Sequence, residues 1–512
     1  MTFSLGDWVT LCLYLAAMVA LGVMVGRRQR TTDAYMRASR RMPFWAAGLS
    51  LLATSLSVAT FVGAPEVSYG GNLSYLTQSI GSVLAAIIVS ALFLPAFYRR
   101  NVTTVYELLE QRMGVTGRLS ASLMFLMGRV FASGARLFIA SIPISLVLFG
   151  DEVDANHLMI SIAIIAVAAT AYTMAGGIRA IIWTDTAQVI ILLGAVVAAI
   201  VLLLRAIDMP VGEILDSLAA AQAADGSGKL TLIDTRLDPS LPFTLWTAII
   251  GMTLLNTAAM GTDQDLAQRM LTCASWRRAA MGMMLSAIVG VFVVSLFLIA
   301  GLLLWQHHQG APTELGQAAG DEGLLIRFLL AEAPVGVRGL VIAGVAAAAM
   351  SSLDSALGAM SSTTVWDFYK RMRPGQSEIH YVRATRIAVV LWGAILGAFA
   401  CVCVLWQDKS GEGLLEFSLG VMTLAYGGLL GVFLSVLLTK RGNAISAMLA
   451  MAFGFLTALL LQFPEWIGTG WQVDTWPRWS LAWRMMASTV VAFVVCQFGR
   501  PINVRGGHRA GA

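Results

Sequence analysis

The chain has 512 residues, 58% of them hydrophobic and only 12% charged, with a mean hydropathy of +0.76, a net charge of +5 and a pI near 9.0. A soluble chain of this length would carry about twice that charge, so the composition excludes a water-soluble enzyme or nucleic-acid-binding domain and implies a polytopic membrane protein. Apolar runs long enough to cross ~30 Å of hydrocarbon recur throughout, and they are too long for barrel strands, so the fold class is all-α.

Thirteen spans are expected, near 5–26, 44–69, 73–97, 118–149, 156–175, 180–205, 242–268, 279–305, 334–368, 384–405, 413–438, 443–463 and 480–498. The first has no basic residue before it, Arg27, Arg28 and Arg30 just after it, and no small-residue cleavage site. It reads as a retained helix with its N-terminus outside. Basic clusters at Arg27 to Arg41, Arg99 to Arg118, Arg277-Arg278, Lys370 to Arg386, Lys440-Arg441 and Arg500 to Arg509 then all fall on one side. By the positive-inside rule that side is cytoplasmic, the C-terminus with it, and the membrane is the plasma membrane, an inner membrane in a bacterium. The opposite loops carry Asp151-Glu152-Val153-Asp154, a 207–240 stretch with few basic residues, and a segment whose Trp466, Trp471, Trp476, Trp479 and Trp483 suit an interfacial belt.

The second span reads Ser50-Leu51-Leu52-Ala53-Thr54-Ser55-Leu56-Ser57-Val58-Ala59-Thr60, followed by Gly63 and Pro65. Gly63 and Pro65 weaken the helix ladder, and carbonyls freed around Ala53 and Leu56 are candidate cation ligands. The fourth span carries Arg129 and Arg136; either can face a cavity and grip a carboxylate, or pair structurally with one. In the sixth, Asp185 must find a partner: a bridging ion, a Ser or Thr hydroxyl, or a proton. The seventh holds Asn256-Thr257-Ala258-Ala259-Met260-Gly261-Thr262-Asp263-Gln264, polar and glycine-interrupted in mid-membrane. Two broken spans five apart suit two inverted five-helix repeats, spans 2–6 and 7–11.

The ninth span is the most telling. In Ala346 to Ser355, Ala348, Ser351, Ser352 and Ser355 fall within an arc of roughly 100° on a helix, offering hydroxyl and carbonyl oxygens to a small hard cation. Asp354, just beyond the arc, is an ionisable residue at membrane depth and so a functional-site hypothesis. Small residues for close helix packing explain the alanines but not the aspartate. Elsewhere the chemistry is sparse. The five cysteines have no metal spacing, His307-His308 makes no metal site alone, and there is no phosphate-binding glycine loop or nucleophile elbow. No enzyme or ATP-driven pump is expected.

Over spans 1–11 these residues resemble the sodium:solute symporter family, the sodium–glucose, proline and sialic acid symporter group. The resemblance rests on the hydroxyl-rich second span, Gly134-Ala135-Arg136-Leu137-Phe138, Gly176-Gly177 with Trp183-Thr184-Asp185, Gly261-Thr262-Asp263-Gln264 with Gln268-Arg269, and Ser351-Ser352-Leu353-Asp354-Ser355. It implies a leucine-transporter-like core of two inverted repeats behind one leading helix, working by alternating access. The main sodium site would fall on the carbonyls of Ala53, Leu56 and Ala348 and the hydroxyls of Ser351 and Ser352. A second site, present in some members, would map to Asp185, Ser351, Ser355 and Asp354. Asp354 stands where those members have a hydroxyl, so a second sodium, a proton or neither remains open there. The sugar-binding Glu-Gln pair of the sodium–glucose branch is Ala59-Thr60 here, and the aromatic pair of its seventh span is Ala259-Met260, while Asn256 is retained. The second span is similar to the sialic acid branch, whose hydroxyls match Ser55, Ser57 and Thr60 and whose substrate arginine matches Arg136 better than Arg129.

The expected function is sodium-coupled import of a small polar organic solute bearing a carboxylate, sialic-acid-like or a monocarboxylate. Na+ is the coupling ion; the solute and the lipid bilayer are the partners, with no nucleic acid and no obligate protein partner. The expected substrate ligands are Ser55, Ser57, Thr60, Arg136 and Asn256. A symporter of a neutral sugar or polyol is the nearest alternative. A membrane solute sensor is a different-class alternative, disfavoured on the expectation that about a dozen polar residues after the last span complete the chain. A passive channel fits closed broken-helix sites poorly. The expected organisation is a leading helix and basic loop (1–30), a first repeat (31–206), a second repeat (207–440), and two peripheral helices with a short tail (441–512).

Overall fold

The structure, a computed structural model, describes residues 3–26, 32–150, 153–174, 177–223, 225–308, 323–410, 414–462 and 479–500. Arg27, Arg28, Arg30, Asp151, Glu152, Gly176, Trp466, Trp471, Trp476, Arg505 and Arg509, singled out above, lie outside the described residues. Among the described residues the chain is helical, with no β-strand beyond two isolated bridges. Among the described residues, nine helices are long and apolar enough to cross a membrane, or ten if the pair α2 (Phe44–Ser55) and α3 (Val58–Gly70), bent by 62°, is one span. Of the other expected spans, the fifth and thirteenth correspond to shorter apolar helices, Ala155–Ala171 and Leu481–Gln497. The seventh is segmented into a π-turn (Thr247–Met252) and helices Thr253–Thr262 and Gln264–Leu271.

The site is framed by α1 (Leu5–Gly26), the α2–α3 pair, α4 (Gln78–Ile88) and α5 (Glu107–Phe149), then α6 (Ala155–Thr173) and α7 (Ile178–Ile207). The second half contributes α8 (Thr253–Thr262), α9 (Gln264–Leu271), α10 (Trp276–His307) and α11 (Val337–Thr363), with α12 (Glu378–Ser410) packed on α5 and α6 and α13 (Leu414–Leu438) on α5 and α8. Helices α14 (Ala444–Gln462) and α15 (Leu481–Gln497) pack on α13. Helix α5 starts eleven residues before the expected span at 118, and Gly114, at φ +69°, kinks it between the two parts. A side chain there would be strained in that left-handed conformation.

Lipid gives helices no hydrophobic reason to associate, so close backbone contact has to. Helix α11 runs against α1, α5 and α7, with Gly344 pressed on Ala195 of α7. The α2–α10 crossing is tighter. A Cβ on Gly48 would sit 2.4 Å from the Gly282 carbonyl oxygen, and one on Gly282 would sit 2.6 Å from that of Phe44. Backbone cannot give way as a side-chain tip can, so Gly48→Ala is expected to destabilise the protein by about 1–3 kcal/mol. Gly194→Ala on α7, with nothing within 4 Å of the added atom, is the neutral control. Heat-induced unfolding of the two variants in detergent checks this; equal midpoints would refute it.

Candidate functional site

The second span breaks at Leu56-Ser57, not at Gly63 and Pro65 as the composition suggested. Leu56 (φ −80°, ψ 102°) and Ser57 (φ −102°, ψ 174°) are extended, whereas Pro65 lies inside the unbroken α3. Hydroxyl back-bonds lead up to the break. Thr54 Oγ1 donates to the Ser50 carbonyl at 3.0 Å and Ser55 Oγ to that of Leu51 at 2.8 Å, back-bonds that compete with the helix ladder. Helix α3 restarts with Thr60 and Phe61 amides on the Ser57 carbonyl. The freed carbonyls take other donors: Ala53 accepts from Ser351 Oγ at 3.0 Å, and Thr54 from Arg136 Nη1 at 3.3 Å.

Across the break, Ser351 Oγ also reaches the Ala348 carbonyl at 3.3 Å. Ser352 Oγ, on a residue 4% exposed, has no partner. Ser57, Ser133, Arg136, Ala348 and Ser352 line a small pocket here, and Leu56 borders the larger cavity beside it. The structure thus brings Ala53, Ala348, Ser351 and Ser352 together, with Leu56 as the pivot. Carbonyls of an unwound helix and a buried, unpaired hydroxyl are a donor set that fits a hard monovalent cation.

The larger cavity, about 150 Å³, is lined by all five expected substrate ligands, Ser55, Ser57, Thr60, Arg136 and Asn256. Met252, Leu255, Ala259, Met260, Ser286, Ser418 and Met422 add a mixed apolar and hydroxyl wall. Ser55 Oγ is turned onto its own helix, and Asn256 Nδ2 donates to the Met252 carbonyl at 2.9 Å. Gln78, which carries no signal in the sequence pattern, also lines the cavity, with its Oε1 unpartnered. Both arginines of α5 line this cavity, but their partners differ. Among the described residues, Arg136 meets the Thr54 carbonyl and, at 3.6 Å, Met422 Sδ, and its Nε has no partner. Arg129 is paired with Asp263 at 3.0 Å and, closely, with Asp265.

That pairing belongs to a buried charged ladder. Asp263 interrupts the seventh span (φ −86°, ψ 121°) and caps α9 by accepting from the Asp265 amide at 2.8 Å. It also accepts a close hydrogen bond from the Tyr426 hydroxyl of α13. Asp265 is bridged to Arg269 at 2.7 Å, and Arg269 Nη2 to Asp185 at 3.1 Å. Arg269 also donates to Ser50 Oγ at 2.9 Å and, closely, to Ser355 Oγ. Asp185 further accepts from Ser50 Oγ at 2.5 Å. Of the partners left open for Asp185, a serine hydroxyl is present, and an arginine that was not among them joins it. Nothing in the sequence pairs residues 185 and 269, although the Asp265–Arg269 spacing is a legible helix pair. Asp354 is fully buried and uses one oxygen on the Ser355 amide at 3.2 Å. Of the histidines, His308 packs on Tyr69 and His307 on Phe328, and no metal-binding cluster of acidic, His or Cys residues occurs among the described residues.

A helical membrane protein whose broken helix opens carbonyls beside a cavity with hydroxyls and an arginine in its wall has the make-up of a secondary transporter. The chain belongs to the sodium:solute symporter family, whose sequence model matches residues 35–454. It is 28% identical to the sodium/sialic acid symporter of Proteus mirabilis over 90% of each chain. It is 27% identical to the human sodium-coupled monocarboxylate transporter 1 over 92% of this chain and 74% of that one. Among solved structures, a substrate-bound, outward-open Na+-coupled sialic acid symporter is similar with a TM-score of 0.80 and 25% identity, over 98% of this chain and all of that one.

Proposed function

We propose that this symporter imports a small polar organic acid with sodium by alternating access. The observation that carries the reading is Arg136, a guanidinium lining the cavity beside the helix break with no carboxylate partner among the described residues. A cation in that position calls for an anionic ligand, and its planar fork suits a carboxylate. Ser57, Thr60 and Asn256, with Ser55 after a rotamer change, would hydrogen-bond the rest of the solute. Sodium would be held by the Ala53, Leu56 and Ala348 carbonyls and the Ser351 and Ser352 hydroxyls, fixing the α2–α3 break against α11 and so ordering the substrate side. Reciprocity then requires the solute to raise sodium affinity by the same factor. Asp185, Asp354 and Ser355 flank a second region for a cation, whose Ser355 face Arg269 already fills. The sodium/sialic acid symporter and the monocarboxylate transporter among the relatives both suit an acid. A neutral sugar or polyol would leave Arg136 without a counter-charge.

The same reading takes the thirteen spans as two inverted repeats, 31–206 and 207–440, behind a leading segment 1–30 and before peripheral helices in 441–512. Breaks at Leu56 and Asp263, five spans apart, support it. The basic loops support a plasma-membrane protein with its N-terminus outside and C-terminus in the cytoplasm. The test is uptake into proteoliposomes of sialic acid, short monocarboxylates, amino acids and neutral sugars, with and without an inward sodium gradient. Sodium-driven accumulation of an acid is expected. Ser351→Ala should raise half-saturating sodium by roughly tenfold or more, the effect of losing about 1.4 kcal/mol. Uptake indifferent to sodium would overturn the reading.

A further inference from the structure

Lys229 has no part in the site described so far, yet it is among the largest buried side chains of the molecule. It lies in the segment 225–245, between α7 and the seventh span. Its Nζ donates closely to the Tyr69 carbonyl in the last turn of α3 and stands 5.0 Å from the centre of the Trp305 ring on α10. No carboxylate pairs with it among the described residues, and burial pushes its ammonium down to about 8. Burying a charge costs free energy. Here the charge fastens the segment to two helices that line the cavity.

The same segment is tied to the cavity wall at three further points. Ser227 Oγ accepts from Asn72 Nδ2 at 2.8 Å, and the Leu232 carbonyl accepts closely from Thr77 Oγ1. Phe243 meets Tyr75 edge-on, with ring centres 5.0 Å apart. Tyr75 and Gln78 line the cavity, and they sit in and just after the 3₁₀ turn Ser74–Thr77. A single 3₁₀ turn has few hydrogen bonds of its own, so these outside fastenings set where both side chains point. Ser227 and Leu232, which grip the turn, stand two positions before and three after Lys229. The segment is braced in turn. Arg236 bridges Asp225 at 2.7 Å and Asp234 at 2.6 Å, and the Lys229 amide donates to the Ala221 carbonyl at 3.1 Å.

We propose that residues 225–245 form a clasp that holds α3, the 74–77 turn and α10 in register, with Lys229 as its pin and a positioning residue for solute binding. Lys229 acts through Tyr75 and Gln78, which share the cavity with Arg136. The proposal rests on the symporter reading above for what the cavity holds, and deepens it.

Lys229→Met removes the ammonium and keeps the length of the side chain. It also relieves a buried charge, so the unfolding midpoint is expected to hold or rise. Two measurements on the full chain test the clasp. Hydrogen exchange read by mass spectrometry in detergent needs no solute: amides of 225–245 and of 69–78 should exchange several-fold faster in Lys229→Met, with α5 and α11 unchanged. The second is sodium-driven uptake into proteoliposomes of labelled sialic acid or lactate, whichever wild type accumulates. Its KM should rise roughly 5- to 30-fold with kcat within about twofold, the size of one lost charge-assisted contact. Lys229→Arg, which keeps the charge, the donor and the ring contact, should recover most of both effects. Thr77→Val, of the same shape without the hydroxyl donor, should raise KM in the same way. Faster exchange confined to 225–245, or an unchanged KM in both Lys229→Met and Thr77→Val, would overturn the clasp. A lowered midpoint with uptake lost in proportion would assign Lys229 to stability alone and overturn it too. Absence of sodium-driven uptake in wild type would count against the functional reading instead, and the exchange measurement would still decide the clasp.

Discussion

Arg136→Gln is expected to lower affinity for the carboxylate solute by roughly 30- to 1,000-fold, about 2–4 kcal/mol, without unfolding the protein. The size follows from removing the charged partner of a desolvated carboxylate. The sparing of the fold follows from what Arg136 touches: a carbonyl of Thr54 and a methionine sulfur, with no acid bonded to it among the described residues. Arg136→Lys should recover only part of the loss, because an ammonium is a point charge without the bidentate fork. Solute binding by calorimetry, with the unfolding midpoint and solute-free sodium binding alongside, checks the prediction. Unchanged acid affinity in Arg136→Gln would assign the residue to structure and favour a neutral solute.

The residues of the α2–α3 break and of the α11 face are legible in the sequence because they violate the local rule. Hydroxyls and an aspartate sit where lipid-spanning helices carry only apolar side chains. Ser351 meeting the Ala53 carbonyl follows once two such segments share one bilayer depth. The break itself falls away from where propensity puts it. Gly63 and Pro65 are the stronger helix breakers, yet α3 runs unbroken through them and the chain opens at Leu56-Ser57, after the back-bonded Thr54 and Ser55. Pairings across distant helices are not legible. Arg269 reaches Asp185 from 84 positions away in sequence. Periodicity reports which face of a helix is polar; it does not report which face of another helix it meets. For that reason Arg129 and Arg136, two turns apart on one face of α5 and both lining the cavity, do not reveal by periodicity that Arg129 is held by Asp263 and Asp265.

Arg129→Leu is expected to be the structural counterpart: a loss of about 3–5 kcal/mol in stability, with solute and sodium binding failing only because the protein fails. Removing this guanidinium leaves Asp263 and Asp265 enclosed with too little positive charge. Arg269 is already shared between Asp265 and Asp185, and Tyr426 supplies only a hydroxyl. Since Asp263 also caps α9, its displacement would loosen the break in the seventh span as well. The double change Arg129→Leu with Asp263→Asn is the sharper test. Replacing both members of a buried pair removes the uncompensated charge, so the double variant should be more stable than Arg129→Leu alone, with a coupling of about 1–3 kcal/mol. Unfolding midpoints in detergent for the single and double variants measure it. Additive losses would mean that the ladder is not held together by charge. A stable Arg129→Leu that folds normally yet no longer binds acid would exchange the roles of the two arginines.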